Sequence, residues 1–121
     1  MNHIIELEQV TKYYKSGSTL ALNNITLSIP DKSVTAVIGK SGCGKTTLLN
    51  MIGGLDTVSS GRVSILGTDI TEMPESKLSV FRSENIGFVF QFFHLIPELT
   101  AIENILFPTV IRKRIFDQDK L

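Results

Sequence analysis

An α/β fold organised around a phosphate-binding loop is what this sequence predicts, and three adjacent observations carry it. Gly39-Lys40-Ser41-Gly42-Cys43-Gly44-Lys45-Thr46-Thr47 contains a complete G-x-x-x-x-G-K-[ST] string. Its glycines let the backbone curl until successive N–H groups face an anion. Lys45 brings a compact positive charge for β- and γ-phosphates, and the Thr46 hydroxyl suits Mg²⁺. Before the loop, Ser33-Val34-Thr35-Ala36-Val37-Ile38 is a short, β-branched, apolar run, expected as a strand buried on both faces of a parallel sheet. After it, Thr46 to Ile52 is a helical segment with apolar Leu48, Leu49, Met51 and Ile52, stopped by Gly53-Gly54. The start of that helix adds its positive pole to the loop.

The flanking elements follow in order. Ile5-Glu6-Leu7-Glu8 and Ile25-Thr26-Leu27-Ser28-Ile29 alternate apolar with polar residues, the pattern of half-exposed antiparallel strands. Pro30-Asp31-Lys32 is the turn into the apolar run. Past the helix, Ser59-Ser60-Gly61 is a second turn and Arg62-Val63-Ser64-Ile65-Leu66 another alternating strand. Pro74 opens a helical stretch with Leu78 and Phe81 three apart. Ile86-Gly87-Phe88-Val89-Phe90 reads as a second buried parallel strand, with Gln91 at its end. Thr100-Ala101-Ile102-Glu103 has the form of a capping box, and Pro108 is expected to end or kink the helix it starts.

Length and charge narrow the function. The 121 residues are one domain or part of one. Twelve basic and twelve acidic residues cancel, so nothing global favours nucleic acid or an anionic membrane as a partner. Arg112-Lys113-Arg114 reads as a solvated helix face. The one cysteine, Cys43, fits a reducing compartment and is most simply a small residue tolerated inside the loop. No apolar stretch approaches a membrane span, and the start has no signal-peptide character. His3 and His94 lack partners at metal-ligand spacing, which leaves the nucleotide's own Mg²⁺ as the expected metal. Together these features suggest a cytoplasmic location.

With these strings in hand, the chain resembles the ATP-binding subunits of ABC transporters, and most the subfamily that serves lipoprotein-release, macrolide and antimicrobial-peptide exporters. Val10-Thr11-Lys12-Tyr13-Tyr14 is similar to the first strand with its adenine-stacking aromatic, for which Tyr14 is the better placed. Asn23 to Leu27 matches the second strand, Gly39 to Thr46 the phosphate loop, and Leu48 to Asp56 the loop helix and its exit. Ile86 to Gln91 followed by His94-Leu95-Ile96-Pro97 matches the glutamine loop of that subfamily.

The resemblance implies a P-loop NTPase fold divided into an antiparallel β region (1–32), a phosphate-loop core (33–91) and the start of a helical subdomain (92–121). It implies ATP and Mg²⁺ as ligands, with residues 39–47 and Tyr14 on the nucleotide and Thr46 and Gln91 on the metal. Gln91 would also position a water. The implied partners are a transmembrane permease, against the cytoplasmic face of the membrane, and a second nucleotide-binding subunit. Phe92, Phe93, Leu95 and Ile96 fit either a docking surface for that permease or internal packing of the subdomain.

The family's LSGGQ signature, Walker B aspartate, water-activating glutamate and switch histidine do not occur in these residues. Asp117 and Asp119 follow no apolar strand. By the same resemblance, the sheet neighbours of residues 33–38 come mainly from the part that carries those motifs, which leaves that run with unpaired edges. Two other readings stay open. One is a nucleotide-binding or regulatory module that does not hydrolyse ATP. The other is a small P-loop kinase, for which only Arg112 and Arg114 are candidate lid arginines.

Overall fold

A computed structural model of the chain describes residues 2–14 and 18–118, with backbone only for 113–118. The chain forms two compact units, one ending at Leu78 and the other beginning at Ser79.

The first unit is built on two long strands, β1 (His3–Tyr14) and β2 (Thr19–Pro30), paired antiparallel. They extend well beyond the alternating tetrad and pentad in the sequence, and register irregularities, among them those near Gln9 and Asn24, carry the pairing past the points where alternation breaks. Gln9 and Asn24 both adopt left-handed backbone, with φ of 50° each. Hydroxyls stand in for missing ladder partners there. The Gln9 N–H donates to Thr26 Oγ1 at 3.0 Å and the Asn24 N–H to Thr11 Oγ1 at 3.1 Å. The bulge at Gln9 shifts the inward face by one residue. Leu7 and Val10, three apart, are therefore both buried, and Lys12 follows them inward.

β3 (Ser60–Ile65) pairs with the free side of β1, and β4 (Thr68–Asp69) pairs with β3, giving the order β2-β1-β3-β4, all antiparallel. β4 has no counterpart in the sequence reading. Leu66 and Gly67 form its two-residue hairpin turn with φ of 52° and 74°, and a leucine in that position gives no warning of a turn. At Gly61 (φ +90°) an added Cβ would lie 2.4 Å from the Gln9 carbonyl oxygen, so the bulge and this glycine require each other.

The core of this unit consists of Leu7, Val10, Leu22, Val63 and Ile65 from the sheet, with Met51, Ile70 and Leu78 closing over it. Met51 comes from α1 (Lys45–Ile52) and Leu78 from the first turn of α2 (Glu75–Asn85), for which the Pro74 carbonyl accepts from Lys77 and Leu78 N–H at 2.9 Å. As the sequence predicts, the paired glycines end α1. Gly54 takes φ +62°, its N–H donates to the Met51 carbonyl at 3.1 Å, and Leu55 N–H reaches the Asn50 carbonyl at 2.9 Å. This is a Schellman stop, and it sets the direction in which Asp56 leaves the helix.

The expected buried parallel strands are not formed among the described residues. Residues 33–38 and 86–90 join no ladder, and Val34, Ile38 and Val89 are exposed at 103%, 90% and 102%. A strand needs a neighbour to supply its N–H and C=O partners, and neither run has one in its own unit.

In the second unit, α3 (Ala101–Gln118) opens with the predicted capping box. Thr100 N–H donates to Glu103 Oε2 at 2.8 Å and Glu103 N–H to Thr100 Oγ1 at 3.3 Å. The Thr100 hydroxyl also donates to Glu103 Oε2 at 2.7 Å, and this bond, with the one from the Thr100 N–H, holds the Glu103 carboxyl below its ordinary range. Asn104 ties the preceding loop to this helix, accepting from Ile96 N–H at 2.8 Å and donating to the Ile96 and Leu99 carbonyls. Of the two outcomes expected at Pro108, an end or a kink, the helix does not end there, since α3 is continuous through it. The proline withholds one N–H from the ladder but leaves the turns on both sides intact. Arg112 is exposed; the Lys113, Arg114 and Asp117 side chains, and Asp119, lie outside the described residues.

Candidate functional site

Residues 39–47 form a tight loop running into α1, and its glycines are fixed by geometry. Gly44 is the N-cap of α1 at φ +102°, where a Cβ would stand 2.6 Å from the Ala21 carbonyl oxygen of β2. Any other residue there would strain the backbone and collide with the sheet. Gly42 also has positive φ, at +76°, facing open space. A turn bond from Cys43 N–H to the Lys40 carbonyl at 3.3 Å closes the loop.

Lys45 folds back across this loop. Its Nζ donates to the Gly39 carbonyl at 2.8 Å and the Lys40 carbonyl at 2.7 Å, and lies 3.8 Å from Cys43 Sγ. The ammonium is thereby held within the loop. No side chain caps α1 and no acidic residue lies in its first turn, so the positive pole there is not neutralised. The first intrahelical bond is made by Leu48 N–H to the Gly44 carbonyl at 2.8 Å, and the N–H groups of Lys45, Thr46 and Thr47 precede it. Lys40, Ser41, Gly42, Cys43 and Thr46 are exposed, while Gly44, Lys45 and Thr47 are half-buried. Chemically this is an ammonium resting on two loop carbonyls beside the unpaired N–H groups of a helix start, a combination suited to a polyanion.

Tyr14, at the end of β1, takes part in a cluster that the sequence reading did not anticipate. Its phenol donates to Asp56 Oδ2 at 2.8 Å, while Lys12 Nζ donates to Asp56 Oδ1 at 2.8 Å and also to the Thr57 carbonyl. Lys12 Nζ lies 5.0 Å from the centre of the Tyr14 ring. Lys12 is only 8% exposed, so its charge has to be matched inside the fold. Partial burial pushes the Asp56 carboxyl up, but the Lys12 and Tyr14 hydrogen bonds, the Thr57 N–H and the Lys12 charge outweigh it and hold the group below its ordinary value. Each strand residue here was legible, but not their meeting across 42 to 44 positions of chain, which depends on the Gln9 bulge turning Lys12 inward.

This cluster has a consequence for acid stability. A carboxyl with a depressed folded-state pKa stabilises the fold fully above its unfolded value, 3.8 for an aspartate, and that contribution is lost as pH falls through the folded value. Denaturant midpoints measured from pH 7 to pH 3 are expected to drop steeply at the acid end in the parent and less steeply in Asp56→Asn. At pH 7 the variant is expected to be less stable by roughly 1–3 kcal/mol, the scale for losing hydrogen bonds to a charged group. Equal acid slopes would mean that Asp56 is not the group coupled to folding.

Gln91 lies in the second unit and is exposed; just before it, the Phe88 and Phe90 rings stack 5.5 Å apart, and Phe90 meets His94 at 4.6 Å. Phe92, Phe93 and Leu95 are exposed, and Ile96 is half-buried. A separate open cleft of about 610 Å³ in the first unit is lined by Arg62, Asp69, Thr71, Glu72 and Lys77 among others and includes no loop residue. Among the described residues, no three His, Cys, Asp or Glu side chains are grouped to hold a metal ion, and no helix is long and apolar enough to cross a membrane.

Comparison with known proteins gives a consistent result. The family model described as ABC transporter matches residues 22–120. The lipoprotein-releasing system ATP-binding protein LolD of Bacteroides fragilis is 46% identical over 108 residues, covering 89% of this chain and 49% of that protein. Among solved structures, the dimeric structure of MJ0796, a bacterial ABC transporter cassette, superposes with a TM-score of 0.83 at 42% identity, covering 88% of this chain and 47% of the other. A dimeric post-hydrolysis state of the MJ0796 cassette, bound to ADP and Pi, superposes equally well, at 0.83 and 38% identity, covering 93% and 54%. The chain spans about half the length of the relatives it matches.

Proposed function

The chain belongs to the ABC transporter family, and we propose that it holds MgATP as the nucleotide-binding part of an exporter ATPase of the lipoprotein-release type. The observation that carries this reading is the Lys45 ammonium held at 2.7–2.8 Å within a glycine loop that opens onto an uncapped helix N-terminus. The donor set fits a triphosphate and its magnesium. N–H groups, Lys40, Ser41 and Lys45 offer positive or hydrogen-donating atoms, and Gly42 and Gly44 supply the positive-φ backbone that the loop's curl requires. Thr46 offers the hydroxyl oxygen that a hard cation takes.

In this reading Lys45 exchanges its loop carbonyls for phosphate oxygens, residues 39–47 fix the orientation of the polyphosphate chain, and Tyr14 presents its ring to the base. Gln91 offers a neutral amide oxygen to the metal or to a water. The bound nucleotide supplies the phosphoanhydride bond whose cleavage drives transport. The division at residues 32 and 91 belongs to the same proposal, as do a membrane-embedded permease and a second copy of the subunit as partners, at the cytoplasmic face. The dimeric cassette among the similar structures supports the last of these.

Cys43 is exposed beside Lys45 in the loop, which makes it a reporter of occupancy. Maleimide labelling of Cys43 is expected to slow roughly tenfold when MgATP is present at about ten times its Kd, as mass action requires of a ligand that covers the thiol. Identical rates with and without MgATP, in a sample folded by circular dichroism, would remove the loop from the nucleotide site.

A further inference from the structure

We propose that Asp56, with Lys12, is a positioning clamp for the Tyr14 ring, so that the residue leaving the phosphate-loop helix sets how the nucleobase is held at the far end of the same ligand. The proposal rests on the reading of Tyr14 as the base-stacking aromatic. Three contacts carry it: phenol to Asp56 Oδ2 at 2.8 Å, Lys12 Nζ to Asp56 Oδ1 at 2.8 Å, and Lys12 Nζ 5.0 Å from the ring centre. The phenol bond fixes where the far end of the ring lies, and the ammonium over one face favours the ring orientation that keeps it there. Only the opposite face remains for a base to stack on.

Asp56 is itself fixed twice. Thr57 N–H donates to Oδ1 at 2.7 Å, and the Schellman stop at Gly54 sets the backbone just before it. Lys12 is buried and bonded to the Thr57 carbonyl as well as to the carboxylate, so it cannot drift away from the ring. The clamp therefore ties the end of β1 to the exit of α1, the helix whose other end carries Lys45 and Thr46. A base platform and a phosphate cradle referenced to one helix keep a constant spacing, which is what a ligand with a base at one end and phosphates at the other needs.

Binding of MgATP and of magnesium tripolyphosphate, which has no base, separates this role from a structural one. Asp56→Asn and Tyr14→Phe are each expected to weaken MgATP binding by about two- to tenfold, the scale of a stacking contact made less well, and the double variant by no more than either alone. Asp56→Asn is expected to bind tripolyphosphate as the parent does. Equal losses for both ligands in Asp56→Asn would assign Asp56 to general support of the helix and overturn the proposal. So would parental MgATP affinity in Tyr14→Phe, a variant that keeps the ring, removes one hydroxyl and serves if the Asp56 variant does not fold. A Tyr14→Ala chain binding MgATP like the parent would instead sink the reading of Tyr14 as the stacking residue, and the clamp with it.

Discussion

Purified as these 121 residues, the protein is expected to release phosphate from MgATP at no more than a trace rate. Transfer of the γ-phosphoryl group to water needs the water held in line and its proton accepted as the bond forms. The loop supplies the opposite chemistry. Lys45 is a cation that donates, the glycine N–H groups donate, and no carboxylate lies among residues 39–47. Gln91 offers an amide that can orient a water without taking its proton. General-base assistance is worth roughly 10²–10⁴ in rate, so its lack leaves positioning alone. Phosphate release would be followed for the chain by itself and after adding a polypeptide that carries the family's signature and Walker B motifs. Turnover at ordinary enzyme rates, on the order of 1–10³ s⁻¹, by the chain alone and abolished in Lys45→Ala would contradict this and mark an independent enzyme. Activity only in the mixture is the expected result.

Replacing Lys45 by alanine is the substitution with the largest expected effect on binding. It removes a charge-assisted contact to phosphate, worth roughly 1.5–3 kcal/mol per hydrogen bond. It also removes the brace that Nζ provides to the Gly39 and Lys40 carbonyls at 2.8 and 2.7 Å, so the empty loop loses its preorganisation. MgATP affinity is expected to fall by roughly ten- to a hundredfold or more, since about 1.4 kcal/mol corresponds to a factor of ten. The check is titration with a fluorescent ATP analogue, with circular dichroism to show that the variant is folded. An unchanged Kd would mean that the ammonium does not meet the phosphates.

What was legible in the sequence is what single residues dictate. Gly44 must be glycine because its backbone is left-handed and the Ala21 carbonyl lies 2.6 Å from where a Cβ would be; a glycine–lysine–threonine string records that requirement directly. The capping box at Thr100 and Glu103 is local chemistry and formed as read. The runs at 33–38 and 86–90 failed in an instructive way. Their apolar, β-branched composition encodes a preference for burial, but a ladder is a property of pairs, and Val34 and Val89 remain in solvent where no neighbour is present. Pro108 withheld one hydrogen bond and was outweighed by the rest of α3. The Lys12–Asp56–Tyr14 cluster was out of reach because it depends on the bulge at Gln9, which no side-chain pattern announces.

The loop from Gly39 to Thr47 is the proposed binding place of the triphosphate. Amide chemical shifts of ¹⁵N-labelled chain during a MgATP titration test it most directly, because the proposed donors are themselves N–H groups. The largest, saturable shifts are expected at the amides of Gly42 to Thr47, with smaller ones at Tyr14 and Asp56, and they are expected to be lost in Lys45→Ala. Shifts that saturate elsewhere, for example around the Arg62–Asp69 cleft, while the loop amides stay still would contradict it.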